Sequence, residues 1–245
     1  MQYRQLGKSG VRVSVIGLGG NRLGLENKVP QQEVNCIIDA CQEAGINFID
    51  SANVYTKGRS EETLGVALKG RWDRFVVATK YGNPVGTGPN DSGGSRYHLA
   101  NALEASLRRL QSDHIDLYYM HNWDESTPIE ESLRALGDAV QAGKVRYLGA
   151  SNFAAWQLAS ANLLAEMRGW ESFVCEQAQY NMLEREPESE ILPYCRAIGV
   201  GFIPYFPLAG GFLTGKYQRN QPAPPGSRGE NSAYVQKFMT AGNFD

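Results

Sequence analysis

Short β-rich runs recur along the chain: VSVIGLG, INFIDSA, RFVVATK, HIDLYYM, VRYLGAS, FVCEQAQ and GVGFIPY. Between successive runs lie stretches whose apolar residues repeat at helical spacing, among them QQEVNCIIDACQEAG, RSEETLGVALKG, YHLANALEASLRRLQ, PIEESLRALGDAVQAG and PESEILPYCRAIG. Gly45 and Gly70 fit helix ends, Ser60 fits an N-cap, and Pro193 should kink or shorten the last helix. Ahead of this alternation, YRQLGKSGVRVS reads as a hairpin with Gly10 in its turn.

Strands alternating with helices predict a parallel sheet built from βαβ units. An open doubly wound sheet and a (β/α)8 barrel both satisfy that rhythm. A dinucleotide fingerprint over GLGGNRLG, aligned on Gly17 and Gly19, needs a third glycine where Arg22 stands, which weakens the first alternative. No Pro/Ser linker and no break in composition precedes residue 218, so residues 1–245 read as a single domain.

Composition narrows the function classes. A formal net charge of -2 without a Lys/Arg cluster gives no footprint for nucleic acid. No apolar run approaches the roughly 20 residues that span a bilayer, and the N-terminus lacks the apolar region of a signal peptide. Cys36, Cys41, Cys175 and Cys195 form no CxxC pair. They read as buried free thiols of a cytoplasmic protein rather than a zinc site.

The polar residues that interrupt the β-rich runs then change the picture. Asp50 follows NFI, Lys80 follows VVAT, His121 follows DLYYM, Ser151 and Asn152 follow RYLGA, Gln177 follows FVCE, and Tyr205 follows GFIP. Each falls at the C-terminal end of its own strand, and in a barrel those ends converge on the face where active sites are built. Taken singly, Asp50 could cap a helix, Lys80 could be the first exposed residue after a strand, and Tyr55 or His121 could be packing residues. Six polar strand ends in one register favour a shared site.

A phenol is a weak acid at neutral pH, and a neighbouring ammonium favours its phenolate. Asp50 would anchor Lys80, and Lys80 would tune Tyr55 to give a proton to an oxygen that is gaining negative charge. A neutral His121 could hydrogen-bond the same oxygen. The set contains no nucleophile and no evident metal site. It can protonate an alkoxide, so hydride must come from elsewhere.

These residues carry a resemblance to the aldo-keto reductases, NAD(P)H-dependent enzymes on a (β/α)8 TIM barrel. The matching stretches are INFIDSANVY with GRSEETLG, VVATKYG, DLYYMHNWD, GKVRYLGASNF, QAQYNMLER and GVGFIPYFPLAGGFLTGKY, which cover nearly the whole chain. GPNDSGGSRYHL and PLAGGFLTGKY look more like the bacterial and potassium-channel β-subunit branches. The resemblance implies a catalytic tetrad of Asp50, Tyr55, Lys80 and His121. It implies that Ser151, Asn152 and Gln177 hold a nicotinamide carboxamide and that Tyr205 stacks on the ring. Leu208, Gly210, Lys216 and Arg228 would follow the pyrophosphate and ribose, and Gly19 and Asn21 would touch the cofactor from the first loop. Trp123, beside His121, is a candidate substrate wall, with rim packing as its plain alternative.

Two departures stand out. Phe206 occupies a position that is usually serine in this family. Only seven of eight barrel strands are evident, and the eighth, with much of the adenosine-binding segment, is not found before Asp245. The unpaired edges of such an array invite self-association. The expected activity is reduction of a small aldehyde or ketone with NADPH, NADH remaining open. The alternatives are a cofactor-sensing or partner-binding module with little turnover and, less compatible with a charged lysine, a Lys80 Schiff-base lyase.

Overall fold

The β-rich runs become the strands of two sheets in the computed structural model, which describes every residue except Asn27 and Asp245. Strands β1 (Tyr3–Gln5) and β2 (Arg12–Ser14) form the antiparallel hairpin. Gly10 lies in the connection between them, as the sequence reading has it, but the position that demands glycine is Gly7. Its φ is 59°, and a Cβ there would lie 2.3 Å from the Val174 carbonyl oxygen. The hairpin thus packs its turn directly against the larger sheet.

The remaining strands and helices alternate as β3 (Leu18–Gly19), α1 (Gln31–Glu43), β4 (Phe48–Asp50), α2 (Arg59–Ala67), β5 (Val76–Tyr81), α3 (Arg96–Leu110) and β6 (Ile115–Met120). They continue through α4 (Ile129–Gln141), β7 (Val145–Ser151), α5 (Ala155–Arg168), β8 (Phe173–Gln179), α6 (Ile191–Ile198) and β9 (Gly201–Tyr205). Strands β3 to β9 pair in chain order, every pair parallel. In a flat sheet β4 and β8 would stand about 19 Å apart, four spacings of about 4.8 Å. Yet Gln177 in β8 donates to Asp50 in β4 at 3.0 Å. The sheet is therefore curled into seven strands of the expected barrel, with β3 and β9 as its edges among the described residues.

The two-residue period of the strands sorts side chains between two cores. Phe48, Ala78, Leu117, Tyr119 and Cys175 point inward and are closed off at one end by Leu6 and Val13 of the hairpin. Ile49, Val77, Tyr81, Tyr118 and Met120 point outward, against Ile38, Leu64, Leu103 and Leu136 of the helices. Asp50 and Lys80 share the inward register of Phe48 and Ala78. Gly149 of β7 has no side chain because a Cβ would sit 2.5 Å from the Tyr119 ring. A strand glycine here marks a close approach.

Local sequence signals hold with two corrections. Gly45, at φ 72°, closes α1 by donating its N–H to Gln42. Pro193 falls in the first turn of the short α6, where it is tolerated. Ser60 is not the N-cap of α2, because that place belongs to Gly58. Ser60 is instead buried in the first turn, donating to the Gly20 carbonyl at 2.8 Å and bonding the Ser51 hydroxyl. Glu61 beside it is also buried, bound by Thr79 at 2.5 Å and Arg109 at 2.7 Å. The polar residues of GRSEE therefore fasten α2 to the sheet and to α3. All four cysteines are free, but Cys36 is exposed, unlike the other three. Among the described residues no helix is long and apolar enough to cross a membrane.

After β9 the chain forms a 3₁₀ turn (Ala209–Thr214), α7 (Arg228–Asn231) and α8 (Ala233–Gln236). Ala209, Phe212, Tyr217, Val235 and Phe238 make a small core of their own. Phe206 has a structural role here: its ring lies 4.5 Å from that of Tyr234, whose hydroxyl accepts from Gln179 of β8. These contacts fold the segment back over the C-terminal ends of the strands.

Candidate active site

Lys80 is the penultimate residue of β5, and its inward register buries it completely. Its ammonium donates to Asp50 Oδ2 at 2.6 Å and to the Ser51 carbonyl at 2.8 Å. The Tyr55 hydroxyl accepts from it at 3.4 Å. The same ammonium lies 5.0 Å from the centre of the Tyr55 ring and 5.3 Å from that of Tyr119. A buried ammonium needs such company, since an unpaired one would be expelled or neutralised. Asp50 uses its other oxygen to accept from Gln177.

Tyr55 opens a 3₁₀ turn (Tyr55–Gly58) and meets the His121 ring edge-on at 5.9 Å. The sequence-based chemistry expected Lys80 to bring the phenol down. Lys80 does pull that way, but burial pushes harder and Asp50 adds to it, so the phenol is held above its ordinary value. The group therefore stays protonated at neutral pH, as a proton donor must. His121 goes the other way. Burial first, then the Lys80 charge, take its imidazole down to about 3. It is neutral at physiological pH, and its buried Nδ1 has no partner.

Ser151, Asn152, Gln177 and Tyr205 meet on the same rim. The Ser151 hydroxyl donates to the Gln177 carbonyl at 2.9 Å. The Asn152 side-chain amide donates to the His121 carbonyl at 3.0 Å and to Ser151 Oγ at 3.1 Å, and its oxygen accepts from the Tyr205 hydroxyl at 2.8 Å. These side chains bond one another rather than standing free. Asn152 also takes a left-handed backbone, φ 58°, as do Thr56, Lys57, Phe206 and Ala209. For Thr56 in particular this is a costly conformation. Its hydroxyl is held by the Leu23 carbonyl at 2.8 Å. Such strain collects where side chains must be presented in fixed positions.

The other predicted residues are placed less uniformly. Gly19 ends β3, and Asn21 is exposed in the turn that follows. A Cβ at Gly19 would meet nothing, whereas one at Gly20 would meet the Asp50 carbonyl at 2.9 Å, so Gly20 carries the packing constraint. Leu208 is exposed, and Gly210 and Gly211 both have positive φ. A Cβ on Gly211 would lie 3.4 Å from the Lys216 ammonium, so this bare backbone turn sits under a cation. Arg228 is partly buried, and burial and then Arg22 hold it below its ordinary value. Arg22 entered the sequence reading only as the residue that breaks the dinucleotide fingerprint, not as a site residue. Trp123 stands edge-on to Phe153 at 5.2 Å and to Trp156 at 5.8 Å, which is the rim-packing alternative.

The donor set suits a nicotinamide nucleotide. Hydroxyl and amide groups beside the Tyr205 ring match a flat, uncharged ring that carries a carboxamide. The Gly210–Gly211 turn under Lys216 matches phosphate, and Arg228 is close enough to Arg22 to feel its charge. The inward group of Asp50, Tyr55, Lys80 and His121 has the acid and the dipole needed at a carbonyl oxygen.

The chain resembles known proteins along nearly its whole length. The sequence model described as the Aldo/keto reductase family matches residues 15–243. The chain is 41% identical to an uncharacterized oxidoreductase of Bacillus subtilis, across 88% of this chain and 69% of that protein. It is 40% identical to a probable voltage-gated potassium channel subunit beta of Oryza sativa, across 91% of this chain and 69% of that one. It is 36% identical to versiconal hemiacetal acetate reductase of Aspergillus parasiticus, across 87% and 69%. The chain thus spans about two thirds of the length of these relatives.

Proposed function

The chain belongs to the aldo/keto reductase family, and from that premise we propose that it reduces an aldehyde or ketone to an alcohol with a reduced nicotinamide nucleotide, NADPH in preference to NADH. The observation that carries this reading is the buried Lys80 ammonium held between Asp50 and Tyr55. When bound, the nicotinamide supplies the hydride. Tyr55 gives its proton to the carbonyl oxygen as negative charge develops there. Lys80 steadies the phenolate left behind, and Asp50 keeps Lys80 aimed at it. Neutral His121 donates a hydrogen bond to the same oxygen and orients the carbonyl. In the oxidative direction Tyr55 acts as the base.

Ser151, Asn152 and Gln177 would hold the carboxamide, and Tyr205 would lie against the ring. Gly210, Lys216 and Arg228 would take the phosphates, with Leu208, Gly19 and Asn21 along the path. Trp123 would bound the substrate from the rim. A small carbonyl compound is the partner this arrangement requires. Among the described residues β3 and β9 are the sheet edges, and pairing along them would be a route to self-association.

The similarity to proteins named as potassium channel β subunits favours one second reading. In it, the same site senses cofactor with little turnover. Titration of the purified chain with NADPH and with NADH, followed by nicotinamide fluorescence and then by a panel of aldehydes and ketones, separates the two. Saturable binding with turnover supports the reductase. Binding without turnover supports the sensor, and no binding by the folded chain contradicts both.

A further inference from the structure

Glu176 immediately precedes Gln177 in β8 and is fully buried, and its side chain is hydrogen-bonded to Phe153 rather than to Asp50, Tyr55, Lys80 or His121. The strand alternation that sends Gln177 inward sends Glu176 out through the back of the sheet, to where Phe153 packs in the outer core. There its Oε1 accepts the Phe153 N–H at 3.0 Å, while Oε2 has no partner. Burial holds its carboxyl well above the usual carboxylate range, despite the Phe153 and Asn152 backbone amides that favour the charged form. Burial thus disfavours the charged form of Glu176, and the Phe153 N–H is what offsets part of that cost. An ordinary core position would be filled by an apolar side chain at less cost.

What Glu176 holds is a turn. Phe153 follows Asn152, whose backbone is left-handed. The Asn152 N–H donates to the Gln177 carbonyl at 3.0 Å. Its side chain joins His121 after β6, Ser151 at the end of β7 and Tyr205 at the end of β9. One residue thus ties four strand ends together from a left-handed backbone, a conformation that asparagine tolerates better than most non-glycine residues. The Gln177 backbone carbonyl holds this turn at the Asn152 N–H, within the sheet, and the Glu176 side chain holds it at the Phe153 N–H, from behind the sheet.

We propose that Glu176 is a positioning residue for the nicotinamide side of the site. It grips the Phe153 N–H from behind the sheet and so keeps Asn152 presenting its amide on the rim; the inference rests on the proposed reading of that rim as a cofactor site. Replacing Glu176 with Leu removes the acceptor and leaves a buried N–H unpaired, whereas Gln keeps an acceptor at the same length.

The test compares wild type, Glu176→Gln and Glu176→Leu by the Asn152 side-chain amide resonances and Phe153 amide exchange without cofactor, then by NADPH affinity. Glu176→Gln should resemble wild type in all three. Glu176→Leu should shift the Asn152 amide, speed Phe153 exchange and weaken NADPH binding about tenfold. A folded Glu176→Leu protein with unchanged resonances and affinity overturns the proposal, as does a Glu176→Gln protein that behaves like the Leu variant. Should Glu176→Leu not fold, Glu176→Met, closer in length and without an oxygen acceptor, carries the same readouts. If wild type itself does not bind NADPH, the functional reading fails. The Asn152 resonances then decide the positioning claim: movement with Leu that Gln restores upholds it, and no movement overturns it.

Discussion

At the scale of single residues, the site pairs two titratable groups whose environments push them apart. Tyr55 is held above its usual range and His121 is driven down to about 3, so both are neutral at physiological pH while Lys80 keeps its proton partner in Asp50. The His121 shift makes a stability prediction. An unfolded imidazole takes its proton near 6.5, the folded one near 3. Between those values the unfolded chain binds more protons, so stability rises with pH. This contribution is complete above about 6.5 and is lost as pH falls towards 3, at no more than about 1.4 kcal/mol per unit. In urea titrations, wild type should therefore lose stability relative to His121→Phe between about pH 7 and about pH 5. A difference that does not change with pH would show that His121 titrates alike folded and unfolded. Asp50, Lys80 and His121 were legible in the sequence because each breaks an apolar run at a strand end, and Tyr55, five residues after Asp50, was legible through the chemistry and the family resemblance. The dominance of burial over Lys80 at Tyr55 was not, because desolvation depends on packing that no residue pattern displays. Glu176 was hidden for the same reason: inside FVCEQAQ it is one more polar residue, and only the observed direction of its side chain separates it from Gln177.

At the scale of elements, strand period does most of the positioning. The register that buries Phe48 and Ala78 inside the barrel carries Asp50 and Lys80 to the same interior two residues later. Gly149 is part of that arrangement, since it makes room for the Tyr119 ring that underlies Lys80. Gly149→Ala should cost about 1–3 kcal/mol through overpacking. Adding Tyr119→Leu should return much of that loss in a double-mutant cycle. Additive effects of the two substitutions would mean that the glycine answers to something other than the ring. Strand and helix order could be read from hydrophobic spacing, and so could the helix end at Gly45. Turn chemistry was read less well. Ser60 looks like a cap because serine usually is one there, but the chain needs its hydroxyl to join Gly20 and Ser51. Gly7 and Gly10 are indistinguishable as hairpin glycines until the Val174 carbonyl is seen against Gly7.

At the scale of the molecule, seven parallel strands curl far enough for β8 to reach β4 across the interior, so the tetrad and the amide rim form within the described residues. The segment after β9 adds the Gly210–Gly211 turn, Lys216 and Arg228, held by the aromatic contact of Phe206 with Tyr234. That contact accounts for the Phe206 departure, which the sequence presented only as a missing hydroxyl. The parallel sheet was legible from the rhythm of strands and helices, and the barrel from the polar strand ends and the family resemblance. The curl itself was not, because it depends on how the strands twist and pack rather than on any one run. The most direct test of the central claim is deuterium transfer. NADPH deuterated at the carbon that delivers hydride is incubated with the protein and a panel of aldehydes and ketones, with Tyr55→Phe alongside. The account predicts alcohol carrying deuterium on the former carbonyl carbon, and turnover lowered by at least about two orders of magnitude in Tyr55→Phe with cofactor affinity retained. Alcohol without that deuterium, or Tyr55→Phe as active as wild type, would contradict it.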